Sequence, residues 1–116
     1  MKRNMDLIRL LLLKTEGEEP IPDLSGYTNA QLVYHSTLLI EAKLIHGGVI
    51  TDNKGEVQAT NSIRLTWAGH EFLDAARNGT IWKKVLGQIK KAGIQVTLPL
   101  LEELLKKSAR EILDLP

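Results

Sequence analysis

Residues 28–45 read T-N-A-Q-L-V-Y-H-S-T-L-L-I-E-A-K-L-I, and residues 46–66 continue H-G-G-V-I-T-D-N-K-G-E-V-Q-A-T-N-S-I-R-L-T. The first run has the spacing of a helix. Thr28 is a suitable N-cap, because its side-chain oxygen can accept from an orphan N–H of the first turn. Helical spacing puts Leu32, Val33, Leu39, Ile40 and Leu44 on one apolar face and Gln31, Tyr34, Thr37 and Glu41 on the other. The pattern ends at Leu44-Ile45, and His46-Gly47-Gly48 is expected to break it. Val49-Ile50-Thr51 and Glu56-Val57-Gln58 are extended in character. Between them Asp52-Asn53-Lys54-Gly55 reads as a turn, with Gly55 supplying a positive φ. Ala59 to Asn61 is read as irregular, and Ser62 to Thr66 alternates like a half-buried strand. One helix followed by a two-stranded hairpin is therefore the centre of the expected fold.

On the N-terminal side, M-K-R-N-M-D-L-I-R-L-L-L-L-K has a short apolar run interrupted by Arg9, with no small-residue cleavage site after it. It reads as a first helix capped by Asn4 or Asp6, with Leu7, Ile8, Leu11 and Leu12 inward, ending near Glu16-Gly17. The breaker-rich Glu18-Glu19-Pro20-Ile21-Pro22 follows. Ile21 to Leu24 is expected as a short edge strand beside the hairpin, the one place where its prolines are tolerated. Asp23-Leu24-Ser25-Gly26 leaves room for a turn rather than another helix before Thr28.

On the C-terminal side, Thr66 is a plausible N-cap for a helix with Trp67, Phe72, Leu73 and Ala76 inward, stopped by Asn78-Gly79. Gly69 early in that helix costs about 1 kcal/mol against alanine, so a second backbone is expected close to it. Thr80 is read as the cap of the next helix, which runs to Ala92. Ile81, Trp82, Val85, Leu86 and Ile89 are inward; Lys83, Lys84, Lys90 and Lys91 are outward. Gly93 ends it. Thr97 caps the last helix, with Pro99 in its first turn and Leu101, Leu104, Leu105, Ser108 and Ile112 on one face.

The chain has 116 residues, 43% hydrophobic, with net charge +1 and no cysteine. That length suits one domain with a modest core. Near-neutral charge provides no overall attraction to nucleic acid or anionic membrane. Lack of cysteine excludes disulfides and thiolate metal sites and suits a reducing cytoplasm. No apolar run approaches the ~20 residues of a membrane span.

Three segments are familiar together: M-K-R-N-M-D-L-I-R, Y-H-S-T-L-L-I-E-A-K-L-I, and R-L-T-W-A-G-H-E-F-L-D-A-A-R followed by T-I-W-K-K-V. With them the chain resembles a family of short uncharacterised bacterial and prophage proteins, a domain of unknown function with a winged-helix-like core. The middle segment is also similar to the recognition helix of winged-helix regulators, H-L-x-x-L-x-x-x-G-L-I. Ser36 stands where leucine is usual and Lys43 where glycine is usual. The resemblance implies an α+β, winged-helix-like fold in the order helix, short edge strand, helix, β-hairpin wing. Residues 1–78 would form that core and 79–116 a C-terminal helical pair packed on it.

Two functions follow as expectations. The first is a DNA-binding regulator of phage or prophage origin. Its helix from Asn29 to Lys43 would enter a major groove of double-stranded DNA. Asn29, Gln31, Tyr34 and Thr37 would face the bases; Lys43, Lys54 and Arg64 would meet phosphates. The second is a protein–protein interaction module without nucleic-acid binding. Leu101, Leu104, Leu105 and Ile112 are candidates for a homodimer surface, with packing onto the chain's own preceding helix as the other reading. The four lysines read as a solubilising helix face, with nonspecific phosphate contact as the alternative. His35, His46 and His70 lack metal-ligand spacing, and His35 is read as a partly buried, hydrogen-bonded residue. No nucleophile elbow, phosphate loop or paired-carboxylate motif is present, so neither an enzyme nor a cofactor is expected.

Overall fold

The computed structural model describes all 116 residues. The order is α1 (Met5–Glu16), α2 (Asn29–Glu41), β1 (Ile45–Thr51), β2 (Val57–Leu65), α3 (Trp67–Ala76), α4 (Gly79–Ala92) and α5 (Leu98–Ile112). It is an α+β chain with one antiparallel two-stranded sheet. No helix is long and apolar enough to cross a membrane. The chain divides into two compact units, Met1–Glu71 and Phe72–Pro116. That division falls inside α3.

In the first unit, α1 presents Leu7, Ile8, Leu11 and Leu12 inward, as its periodicity predicts, and all four are buried. Asn4 caps it by accepting from the Leu7 N–H at 3.2 Å. α2 opens with a reciprocal capping box: the Thr28 hydroxyl accepts from the Gln31 N–H, and the Gln31 side chain accepts from the Thr28 N–H at 2.8 Å. Its buried face differs from the apolar stripe. The buried α2 side chains are His35, Ser36 and Leu39, whereas Leu32, Val33 and Ile40 are half-buried. A polar pair occupies the centre of the inward face because His35 has partners there. The Asn4 backbone N–H donates to His35 Nε2 at 2.8 Å, and Nδ1 lies 2.8 Å from the Gln31 carbonyl. An amide donor requires a bare Nε2, so the ring carries its proton on Nδ1 and donates it to Gln31. The ring thereby fastens the start of α1 to α2.

α2 ends at Glu41, earlier than the glycine pair suggests, and Ala42 is its cap. Lys43 adopts a left-handed φ of 61°. The Lys43 N–H donates to the Ile40 carbonyl and the Leu44 N–H to the Leu39 carbonyl, both at 3.0 Å. These are the two hydrogen bonds of a Schellman stop, with lysine where glycine is the favoured residue. A left-handed L-residue is strained by roughly 1–2 kcal/mol. Lys43→Gly is therefore expected to stabilise the fold by about 1 kcal/mol, read as a raised urea midpoint at unchanged slope. An unchanged or lowered midpoint would show that the lysine side chain supplies a compensating contact.

His46, Gly47 and Gly48 do not act as a break; they are part of β1. Gly47 is needed there because a Cβ would overlap the Asn61 backbone carbonyl across the hairpin. β2 runs unbroken through Ala59 to Asn61. The register shifts between His46 and Gly47 and between Ile50 and Thr51, leaving Ile63 and Gln58 as the extra residues of β2. Ile63 is thereby 66% exposed, not half-buried, while Leu65 is buried opposite Ile45. The turn is tied by Asp52. One of its carboxylate oxygens accepts from the Lys54 and Glu56 N–H groups, and the other accepts from the Gln58 amide. Gly55 takes the expected positive φ, 82°.

The expected edge strand at Ile21–Leu24 does not form; the sheet is β1 and β2 alone. Pro20 and Pro22 have no N–H to donate, and the Ile21 N–H turns to its neighbour Glu19 instead. Asp23 to Gly26 is a turn, as read. The Ser25 backbone N–H, with the Ser25 side chain adding to it, holds the Asp23 carboxyl below its usual value.

Thr66 closes the base of the hairpin. Its N–H donates to the Leu44 carbonyl, its hydroxyl donates to the Lys43 carbonyl at 2.6 Å, and the same Thr66 hydroxyl oxygen accepts from the Gly69 N–H as the cap of α3. A Cβ on Gly69 would overlap the Leu44 carbonyl oxygen, which is the close backbone expected. This contact also corrects the placement of Trp67. Residues two apart on a helix point about 200° apart. With Gly69 turned inward, Trp67 turns outward and is 80% exposed.

The second unit holds Phe72, Leu73, Ala76, Ile81, Trp82, Val85, Val96, Leu101 and Leu105 as its buried apolar residues. Asn78, not Thr80, caps α4, accepting from the Thr80 and Ile81 N–H groups. Gly93 ends α4 in the left-handed region, and Thr97 caps α5. α5 packs against α4. Leu101 and Leu105 are 0% exposed. Leu104 is half-buried, and Ile112 is 63% exposed.

Candidate functional site

Buried His35, Ser36 and Leu39 define the inner face of α2. Helical geometry places Ala30, Val33, Tyr34 and Thr37 on the outer face. The far end of the hairpin runs back alongside that face. Between them lies a groove of about 360 Å³, lined by Asn29, Ala30, Val33, Tyr34 and Thr37 of α2 and by Val57 and Gln58 of β2. Gln58 reaches it because it is the extra residue of the second register shift, and its amide is oriented by Asp52.

The expected base-reading residues are only partly available. Asn29 is exposed at the start of α2. Gln31 has its carbonyl oxygen engaged in the capping box. The Thr37 hydroxyl donates back to the Val33 carbonyl at 2.7 Å. Tyr34 is half-buried, its ring edge-on to His35 with centroids 5.2 Å apart. Asn29, Tyr34 and Thr37 meet in the groove; Gln31 does not line it. Of the expected phosphate contacts, Lys43 lies beyond the helix end, Lys54 at the hairpin turn, and Arg64 opposite His46 near the hairpin base. All three are exposed, and none lines the groove.

Ala30, Val33, Val57 and Gln58 are site residues that the sequence reading did not single out. Ala30, Val33 and Thr37 recur at helical spacing, which is the signal that could have found the α2 wall. Every groove residue is uncharged, and the one ionised side chain within α2 is Glu41. No group of three or more His, Cys, Asp or Glu residues could hold a metal ion.

The family described as "Hypothetical protein (DUF2513)" matches residues 2–95, from before α1 to beyond α4. The chain belongs to that family. Within DUF2513's matched span lie the whole helix–hairpin groove and α4; α5 is beyond it. An uncharacterized protein of Haemophilus influenzae is 35% identical over 109 residues, covering 89% of this chain and 91% of the relative. No solved structure matches the chain.

Proposed function

We propose that this is a protein-interaction domain, whose groove between α2 and the hairpin receives an uncharged, partly apolar peptide segment of another protein. The observation that carries this reading is the absence of any charged side chain from the groove walls. A helix in a DNA major groove is surrounded by phosphates, and binding there is driven largely by Lys and Arg. Here α2 has no Lys or Arg and ends in Glu41. A volume of about 360 Å³ is at the small end of ligand sites and suits a few side chains of a peptide. Val33, Ala30 and Val57 supply apolar contact, while Asn29, Tyr34 and Gln58 supply polar groups at the rim. Peptides selected from a random display library against the whole chain are expected to bind with micromolar Kd. Val33→Glu, which puts a charge into the groove, should weaken them at least tenfold. Selected peptides indifferent to Val33→Glu would sink the reading.

The second reading is a winged-helix-like DNA-binding regulator. Lys54 at the hairpin turn and exposed Arg64 favour it, together with the helix-then-hairpin order. Its signature is a duplex affinity that falls in Lys54→Ala and Arg64→Ala, each lowering the salt slope by about 1.

A further inference from the structure

Positive charge is unevenly distributed along the chain. Met1–Glu71 holds seven Lys and Arg against nine Asp and Glu, and Phe72–Pro116 holds eight against five. The excess centres on α4, whose fourteen residues include four lysines and no acid. Lys83, Lys84, Lys90 and Lys91 are all exposed. None has an acidic partner; the ion pairs of this unit are Arg77 with Asp74 and Lys106 with Glu102. Seven residues make almost two full turns, so Lys90 lies over Lys83 and Lys91 over Lys84, about 10.5 Å along the axis. B-DNA presents about six phosphate charges over that length.

Gly87 stands at the centre of the four lysines. A Cβ there would meet nothing within 4 Å, so packing does not require glycine, although glycine weakens a helix interior. Its effect is to leave bare backbone between the two lysine pairs. Lys90 and Lys91 complement the negative end of the helix dipole, but Lys83 and Lys84, nearer the positive end, gain nothing from it. The opposite side of α4 is buried through Ile81, Trp82 and Val85. With that apolar face enclosed, α4 cannot insert it into a bilayer, which favours a strand of phosphates over a lipid surface.

We propose that the outward face of α4 binds the phosphate backbone of a nucleic acid without reading sequence, the two lysine pairs straddling the bare strip at Gly87. The test is anisotropy of a labelled random-sequence 20-base-pair duplex titrated with the full chain from about 20 mM salt upward. Neutralising four phosphates predicts a log–log salt slope near −3.6. Replacing all four lysines with glutamine should lower affinity at least thirtyfold and flatten the slope. Gly87→Glu, which keeps every lysine, should lower it at least tenfold, with circular dichroism confirming that both variants are folded. Val33→Glu should leave duplex binding unchanged, so this test succeeds or fails independently of the groove. Three results would overturn the proposal. One is no duplex binding at low salt. Another is duplex binding that survives the four-lysine replacement or depends on Lys54 and Arg64 alone. The last is lysine-dependent binding to vesicles of anionic phospholipid without binding to the duplex.

Discussion

Gly69→Ala is expected to destabilise the chain by about 3 kcal/mol, a fall in Tm on the order of 10 °C. Alanine improves helix propensity by about 1 kcal/mol, so propensity alone predicts the opposite sign. Sterics decide the outcome, because the new methyl would overlap the Leu44 carbonyl oxygen. That oxygen cannot yield without loss, since it accepts the Thr66 N–H at 3.0 Å. Relief would open the hairpin base, the α2 stop or the first turn of α3. Gly87→Ala is the control: it has open space around the new methyl and should stabilise by about 1 kcal/mol. Thermal unfolding of the two variants should move in opposite directions. A Gly69→Ala protein as stable as the parent would mean that the α2–α3 approach is looser than described.

His35→Phe is expected to cost about 2–3 kcal/mol although ring volume is nearly kept. The ring is 1% exposed, and its loss leaves the Asn4 amide without an acceptor. A buried donor without a partner costs about 1–3 kcal/mol, far more than the hydrogen bond's net worth. Asn4 is also the cap of α1, so any shift that re-solvates its amide threatens a cap worth about 1 kcal/mol. The Gln31 carbonyl loses its side-chain donor as well. The measurement is the urea midpoint at unchanged slope. A loss below about 0.5 kcal/mol would mean that the clasp between α1 and α2 contributes little.

The same histidine marks the limit of what the chain's letters disclose. The buried set of α1 was legible because Leu7, Ile8, Leu11 and Leu12 are apolar at helical period. The inner face of α2 was not, because periodicity counts apolar residues and this face is centred on His35 and Ser36. Their burial depends on a partner 31 residues away at Asn4. Thr28, Thr66, Thr97 and Gly93 announced their roles because caps act over three or four residues. Trp67 misled because a large aromatic reads as inward, whereas the backbone approach at Gly69 sets the helix's rotation. Two prolines overrode the edge strand. The groove itself was not legible: it joins α2 to Val57 and Gln58, and Gln58 arrives there through a register shift that local pattern does not encode.

The hairpin is hydrogen-bonded to the end of α2 at its root, and β2 also packs on α1 and α2. Thr66 bonds to Lys43 and Leu44 at its root, whereas Val57 and Gln58, which wall the groove, sit toward its far end. The groove is the gap between the start of α2 and that far end of the ribbon. The second register shift and the Asp52 knot lie beside that far end, so the geometry of the turn governs how wide the gap opens.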